Sequence, residues 1–193
     1  MPEIDERTMR VAIIVIGHVM WLSTAALRLV RGHRGHAVRA DAPWLVRYYT
    51  VLVWIPLVFA TLVFKWPRDV AYPFQATGLA LALAGSLFAA WSMWSLGRGY
   101  GIGLDVFEGH RLKTDGPFAL VRHPMYLGIV TYHVGAALAL ESLALIAATA
   151  LVVVPYTAWR VACEEQVLRE AFREYDRYAE RTPRLVPLAR ARP

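Results

Sequence analysis

Cysteine is almost absent from this chain, since Cys163 is the single cysteine among 193 residues. A lone cysteine excludes an intramolecular disulfide and a zinc site built on cysteine pairs, and we expect Cys163 to be a small packed residue. Charge is also scarce, because Asp, Glu, Lys and Arg make up 19% of the chain and hydrophobic residues 57%. That composition excludes an ordinary soluble protein and favours one with several membrane-spanning segments.

Lysine is nearly as rare as cysteine and occurs only at Lys65 and Lys113, whereas arginine and alanine are abundant. This bias hints at a bacterial source. The first ten residues carry charges of both signs and no small-residue cleavage site follows, so we predict no cleaved signal peptide. The net charge of +6 is explained by membrane topology, and we therefore predict no nucleic-acid partner.

The apolar stretches predict an all-α, polytopic membrane bundle with about five spanning helices. The last two stretches are short and are separated only by Glu141 and Ser142, which predicts a tight helical hairpin with Glu141 capping its turn. The predicted spans are residues 9–30, 44–64, 74–96, 125–140 and 143–159.

Basic residues are concentrated in the loops on one side of these spans and in the segment after residue 159. The positive-inside rule makes that side cytoplasmic and the amino terminus external, in a bacterial inner membrane. Apolar residues at helical spacing predict a cytosolic amphipathic helix over residues 164–181. Pro183 ends it, and the proline-bracketed tail after it should be extended. No repeat or linker interrupts the chain, so we predict one domain, residues 1–193.

The stretch GPFALVRHPMYLG, residues 116–128, joins a polar loop to the fourth span. Pro124 suits the first position of a helix, which places Arg122 and His123 at the cap and Tyr126 on the first turn. The free N–H groups there attract an anion. The alternative is an interfacial anchor, because arginine, histidine and tyrosine are common at headgroup depth.

A second charged stretch, RVACEEQVL, follows the fifth span and contains Arg160, Glu164 and Glu165. Arg160 and Glu164 are four residues apart and share a helix face. A simple surface ion pair would explain them individually. Because the fourth and fifth spans form a hairpin, however, this stretch must return close to Arg122 and Tyr126, and a common site would explain both stretches.

These motifs resemble a known enzyme family. RHPMYLG is similar to the RHPxYxG signature of the isoprenylcysteine carboxyl methyltransferase family, and RVACEEQVL is similar to its RxxxEExxL segment. FREYDRY and TPRLVP resemble the family's aromatic stretch and proline-ended tail. The resemblance extends from about residue 108 to residue 187.

The resemblance implies an integral membrane methyltransferase that uses S-adenosylmethionine and acts on a lipophilic small-molecule or lipid-like acceptor among membrane lipids. Residues 1–96 would be three N-terminal helices and residues 97–193 the cofactor-binding and catalytic part. The implied catalytic residues are Arg160, Glu164 and His123. The cofactor contacts that the resemblance implies are His110, His123, Tyr126, Glu164 and Glu165, and the chemistry of the methyl donor adds Arg122, Gly128 and Tyr178. Gly128 would let a ligand approach the backbone closely.

Several other features have alternative explanations. A non-catalytic scaffold or transporter subunit of the same fold remains open as a second function. The glycine-rich GRGYGIG, residues 97–103, follows a membrane helix and not a strand, which favours a flexible loop over a phosphate loop. His133 lies inside a span, where a histidine bonded between helices and a functional group are both possible. The histidines show no metal-ligand spacing, and we predict no metal.

Overall fold

The computed structural model describes residues 5–31, 37–39, 43–63, 73–97, 106–107 and 111–186. These residues are helical apart from turns, short extended segments and one short antiparallel strand pair, β1–β2, in which Ala37 faces Phe107. The elements are α1 (Glu6–Arg31), β1 (Ala37–Arg39), α2 (Trp44–Arg47), α3 (Tyr49–Leu52), α4 (Ile55–Val63), α5 (Pro73–Leu96), β2 (Val106–Phe107), α6 (Pro117–Leu120), α7 (Pro124–Ala139), α8 (Leu143–Ala148), a π-helical turn (Thr149–Val153), α9 (Val154–Ala171) and α10 (Tyr175–Arg181).

Three of the predicted helices are observed close to their predicted bounds, as α1, α5 and α7. Helix α5 ends at Leu96, and Gly97 follows with a φ of 56°. This left-handed conformation is the one that glycine commonly adopts directly after a helix. Helix α7 begins at Pro124, where the missing proline N–H leaves no helical hydrogen bond unmade.

The second predicted helix, residues 44–64, is wrong as a single element. Its described part, residues 44–63, forms the three short helices α2, α3 and α4. Pro56 explains the second interruption, because it has no N–H to bond to the carbonyl four residues earlier. The chain therefore turns at Val53 and Trp54 before α4 begins.

The fifth predicted span, residues 143–159, lies inside a longer helical segment that comprises α8, the π-helical turn and α9. Pro155 follows the wide turn directly. Because Pro155 cannot donate to the carbonyl of residue 151, the regular hydrogen-bond ladder is broken there, and a π-helical turn accommodates the mismatch.

The prediction of one amphipathic helix over residues 164–181 is also wrong, since α9 ends at Ala171 and α10 begins at Tyr175. Between them Phe172 is extended, with φ −128° and ψ 112°, and its side chain is buried. The helix is interrupted so that this ring enters the core. Helix α10 ends as predicted before Pro183, and Thr182 is extended as a residue before proline should be.

The turn between α7 and α8 differs from the prediction in its capping residue. Glu141 occupies the turn with a φ of 50°, which is uncommon for a residue with a side chain. Ser142 is the N-cap of α8, because its side-chain oxygen accepts a hydrogen bond from the Leu145 N–H at 3.2 Å. Ser142, not Glu141, therefore caps the helix.

Two pairs of glycines bring α5 and α7 into backbone contact. A Cβ added to Gly128 would lie 2.6 Å from the Gly85 carbonyl oxygen, and one added to Gly135 would lie 2.6 Å from the Gly78 carbonyl oxygen. Small residues permit such close packing of membrane helices. The pairing of residue 78 with 135 and 85 with 128 makes the two helices antiparallel. Gly128 is thus approached by α5, and its expected role in admitting a ligand stays a prediction.

We expect Gly85→Leu to destabilise the detergent-solubilised protein, because even its Cβ would lie 2.6 Å from the Gly128 carbonyl oxygen. Overpacking of this kind costs about 1–3 kcal/mol or more. The thermal unfolding midpoint, followed by tryptophan fluorescence, should fall relative to wild type. Ala84→Leu is the matched control, since Ala84 is the exposed neighbour on the same helix. Equal midpoints for the two variants would contradict the close contact.

Two of the described helical segments are each long and apolar enough to cross a membrane, Phe74–Leu96 and Leu143–Ala171. Membrane crossing by α1, by the segment from α2 to α4 and by α7 stays a prediction. His133 is fully buried on α7, with its ring nitrogens 2.8 Å from the Ile129 carbonyl oxygen and 3.0 Å from that of Val53. His133 therefore links α7 to the turn before α4, which agrees with the first of its two alternatives, a histidine bonded between helices.

Candidate functional site

The polar stretch before α7 is shaped by alternating turns and extended residues. Gly116 has a φ of 60°, the short helix α6 follows it, and Val121 is extended with φ −145° and ψ 153°. His123 is the N-cap of α7 with φ −126° and ψ 62°, because a residue before proline is kept out of the helical region. Arg122 and His123 therefore stand at the entrance of α7, as predicted.

The predicted meeting of the two charged stretches is confirmed. The Tyr126 hydroxyl donates a hydrogen bond to Glu164 Oε2 at 2.5 Å. His123 Nε2 lies 3.3 Å from Glu165 Oε1, and an Arg122 guanidinium nitrogen lies 2.9 Å from the same oxygen. The start of α7 and the second half of α9 thus build a single polar group.

Within this group, Arg160, Tyr126 and Glu164 form a chain of hydrogen bonds. Arg160 Nε donates to the Tyr126 hydroxyl at 2.8 Å, and that hydroxyl donates in turn to Glu164. A second Arg160 nitrogen donates to the Val46 carbonyl oxygen on α2 at 2.7 Å. Arg160 and Tyr126 are buried, at 3% and 2% exposure, while Glu164 is partly exposed. The chain therefore connects a buried cation to a carboxylate that further ligands can reach.

Helix α3 supports this chain from behind. The Tyr49 ring contacts the Tyr126 ring edge to face, with centroids 5.2 Å apart. The Tyr49 hydroxyl lies 2.7 Å from the Thr157 hydroxyl, which itself donates to the Val153 carbonyl oxygen. Tyr49 must therefore be the donor to Thr157. These contacts restrict the orientation of the Tyr126 ring and so direct its hydroxyl toward Glu164.

Glu165 lies at the centre of a cluster of basic side chains from three segments: the entrance of α7, α9 itself and the tail. Its side chain is fully buried, and each oxygen has a cationic partner. Arg184 contacts both oxygens, at 3.1 and 2.5 Å, while Arg122 lies at 2.9 Å and Arg169 at 3.3 Å. Hydrogen bonds to charged donors of this kind are stronger than neutral ones. Both oxygens of Glu165 are committed within the protein.

The phenols of α10 lie next to this cluster. Burial raises the pKa of Tyr175 to about 12 and also raises the pKa of Tyr178 well above its ordinary value. Both hydroxyls therefore stay protonated throughout the usable pH range. The hydrogen bond to Glu165 raises the pKa of Arg184, so this guanidinium remains charged as well. The two phenols and Arg184 therefore keep their protonation states around neutral pH.

The structure shows other contacts for two further predicted residues, Tyr178 and Gly128, and does not describe a third, His110. Tyr178 is half-buried, and its hydroxyl donates to the Phe118 carbonyl oxygen at 2.7 Å, which ties α10 to α6. Gly128 packs against α5, as described above. His110 lies outside the described residues, as does the glycine-rich loop beyond Gly97. Contact of Tyr178 and His110 with a cofactor stays a prediction.

The sequence did not predict Arg169 and Arg184 of the cluster, or Tyr49, which packs against Tyr126. Arg169 is four residues after Glu165 on the same helix, and that spacing alone could have identified it. Arg184 lies between two prolines in the tail, where a single charged residue in an apolar stretch was a usable signal. No sequence motif marks Tyr49, because it lies in an ordinary apolar stretch. Only the fold brings it next to Tyr126.

The two adjacent glutamates differ in what they can do chemically. Glu165 is saturated by basic partners, whereas Glu164 is partly exposed and receives one hydrogen bond from Tyr126. Glu164 can therefore accept hydrogen bonds from, or pair with, a positively charged ligand. Across the part of the chain that the structure describes, no group of three histidine, cysteine, aspartate or glutamate side chains is placed to hold a metal ion.

Comparison with known proteins gives one family. Residues 74–175 match the phospholipid methyltransferase family. This match begins at α5 and so includes the helix that packs against α7, a region in which the sequence motifs alone carried no information.

Some of the individual relatives are named as methyltransferases and others as metal-resistance proteins. The chain is 33% identical over 113 residues to protein-S-isoprenylcysteine O-methyltransferase B of Arabidopsis thaliana, which covers 57% of each protein. It is 27% identical over 175 residues to a probable protein-S-isoprenylcysteine O-methyltransferase of Oryza sativa subsp. indica, covering 83% of this chain and 92% of the relative. It is also 31% identical over 165 residues to the cobalt-zinc-cadmium resistance protein CzcN of Cupriavidus metallidurans, covering 80% of this chain and 71% of that protein.

The family match covers more than half of the chain, and the residues that carry the sequence motifs lie together in the structure. The match to the Arabidopsis protein spans 57% of that protein's length. The chain therefore belongs to the phospholipid methyltransferase family and, as its motifs indicated, is related to the isoprenylcysteine carboxyl methyltransferases.

Proposed function

We propose that this protein is an integral membrane methyltransferase that transfers a methyl group from S-adenosylmethionine to a lipophilic acceptor. The observation that carries the proposal is the hydrogen-bond chain from buried Arg160 through Tyr126 to the partly exposed Glu164. It lies at the junction of the two segments that resemble the methyltransferase motifs. Family membership supports the same reaction class.

The residues present suit a zwitterionic methyl donor. Glu164 is partly exposed and offers a carboxylate for an ammonium group or ribose hydroxyls. Arg122 and Tyr175 are neighbours, and the buried Tyr175 hydroxyl has no acceptor for its own proton among the described residues. This hydroxyl beside a guanidinium suits a carboxylate oxygen. S-adenosylmethionine, when bound, would supply an activated methyl group.

The protein's own residues would act mainly by positioning and by excluding water, because the reaction disperses a positive charge that the methyl donor already carries. Arg160 is held by Tyr126 and Val46 in a fixed orientation, and we assign it to aiming the acceptor. A carboxylate acceptor needs no base. A thiol or amine must lose a proton, and Glu164 is the better placed base, because His123 faces Glu165.

The names of the relatives bear on the acceptor class. Two of them are named for O-methylation of isoprenylcysteine, a lipid-modified carboxylate. We propose a lipophilic acceptor for this chain on that basis, reached from the lipid phase while the polar methyl donor enters from the cytosol. The inner-membrane location, the external amino terminus and the cytosolic α10 belong to the same proposal, which rests on the distribution of basic residues.

Titration with S-adenosylhomocysteine, the demethylated methyl donor, tests the function directly. We expect calorimetry to detect binding to the wild type and at least about tenfold weaker binding to Glu164→Ala, because a hydrogen-bonded charge is lost. Glu170→Ala is the matched control, since Glu170 is exposed on the same helix. A non-catalytic membrane module is the alternative, which the family match does not favour. It would show no heat with the wild type.

A further inference from the structure

The last described residues, 182–186, cross the entrance of α7, and we call them the tail strap. Two main-chain hydrogen bonds join the strap to this entrance. The Arg122 N–H donates to the Pro183 carbonyl oxygen at 2.8 Å, and the His123 N–H donates to the Arg184 carbonyl oxygen at 3.1 Å. The strap therefore satisfies the amides of the two residues that begin the candidate site.

One side chain anchors the strap to the buried charge. Arg184 donates through Nε to Glu165 Oε1 at 3.1 Å and through a terminal nitrogen to Oε2 at 2.5 Å, a two-pronged contact that only arginine can make. The Glu165 side chain is fully buried, while that of Arg184 is 51% exposed. Arg184 therefore reaches inward from the surface to close the cluster. Leu185 adds an apolar contact with the core.

We propose that Arg184 is a positioning residue that holds the tail strap across Arg122 and His123 and thereby sets the affinity and release of the methyl donor. The inference rests on the proposed function, because it assigns the site at α7 to that molecule. Without the ion pair, the strap would be held by its two main-chain hydrogen bonds to the entrance of α7, by the hydrogen bond from the Thr182 N–H to the Tyr178 carbonyl oxygen at 3.1 Å, and by Leu185. The two hydrogen bonds to the entrance would then break more often, which would expose the amides of residues 122 and 123 to water and remove part of the fixed surroundings of Arg122.

The first measurement is amide hydrogen exchange without any ligand, in detergent micelles. We expect Arg184→Ala to speed exchange at the amides of Arg122 and His123 about tenfold, because a charge-assisted contact holding the strap is lost. Exchange in the middle of α7 should not change. Arg181→Ala is the matched control, since Arg181 is an exposed arginine at the end of α10. Unchanged exchange in Arg184→Ala would overturn the strap.

The second measurement is the affinity and dissociation rate of S-adenosylhomocysteine. Arg184→Ala should bind it about tenfold more weakly with faster dissociation, and should raise the KM for the methyl donor without changing the KM for the acceptor. Arg184→Lys should lie between wild type and Arg184→Ala, because lysine keeps the charge and loses the two-pronged contact. A merely structural role would lower kcat/KM for the methyl donor and for the acceptor by the same factor. Arg184→Lys would then not fall between wild type and Arg184→Ala in its affinity for S-adenosylhomocysteine.

The outcomes separate the two proposals. Faster exchange with unchanged affinity for S-adenosylhomocysteine overturns the positioning role of Arg184. If the wild type does not bind S-adenosylhomocysteine, the proposed function is overturned. The exchange measurement then still tests whether Arg184 holds the tail strap. If Arg184→Ala does not accumulate as folded protein, Arg184→Lys carries both measurements, and wild-type values for it would count against the proposal.

Discussion

Replacing Glu165 by glutamine is expected to lower the free energy of unfolding by about 3–5 kcal/mol, the usual cost of removing one partner from a buried ionic cluster. Glutamine preserves the size of the side chain but removes its charge. Arg122, which is 12% exposed, would be left with an uncompensated charge close to His123. Arg169 and Arg184 are about half exposed and would be relieved by water. Most of the cost should therefore come from Arg122.

The measurement is the thermal unfolding midpoint in a fixed detergent, which should fall by on the order of 10 °C for a chain of this length. Glu170→Gln makes the same chemical change at an exposed position of α9 and should leave the midpoint within a degree or two. If Glu165→Gln unfolds at the wild-type temperature, Glu165 is not the centre of a buried cluster, and its role as a direct cofactor contact returns as the better explanation.

Replacing Tyr126 by phenylalanine is expected to lower kcat/KM for methyl transfer by about 10–100-fold, because one hydroxyl serves two charged groups. Arg160 Nε would lose its acceptor and Glu164 Oε2 its donor. The aromatic ring, and with it the edge contact to Tyr49, would remain. The variant therefore isolates the hydrogen-bond chain from the packing around it.

Labelled S-adenosylmethionine with a panel of prenylcysteines, fatty acids, thiols and phospholipids provides the assay. Tyr132→Phe is the matched control, since Tyr132 is a buried tyrosine on the same helix whose hydroxyl donates to the Ile13 carbonyl oxygen at 2.7 Å. It should lower stability while the transfer rate per folded molecule stays near wild type. Equal turnover in wild type and Tyr126→Phe would remove the hydrogen-bond chain from the mechanism.

Much of the candidate site could be predicted from the sequence because its residues lie next to strong local signals. Pro124 fixed the start of α7, and the two-residue turn at Glu141 and Ser142 required the following helix to return beside it. Those two features suffice to bring Tyr126 close to Glu164. The long apolar stretches predicted α1, α5 and α7 for a similar reason, since the apolar character of a stretch is a local property of the sequence.

The parts that could not be predicted depend on distant contacts. No proline or glycine marks the break at Phe172, which exists because its ring is buried. Glu164 and Glu165 point about 100° apart on the helix, and the spacing of four residues related Glu164 to Arg160, but no local signal identified the partners of Glu165 outside its own helix. Those partners include Arg184, a residue close to the far end of the chain.

The glycine contacts between α5 and α7 also have a consequence for the depth of the site in the membrane. Gly128 stands four residues after Pro124, and Gly85 fixes it against one level of α5. Because each helical residue advances by 1.5 Å, these contacts set how far Tyr126 lies from Pro73, the first residue of α5. A residue inserted in α5 between Gly78 and Gly85 would therefore shift the hydrogen-bond chain of Arg160, Tyr126 and Glu164 relative to that end of α5.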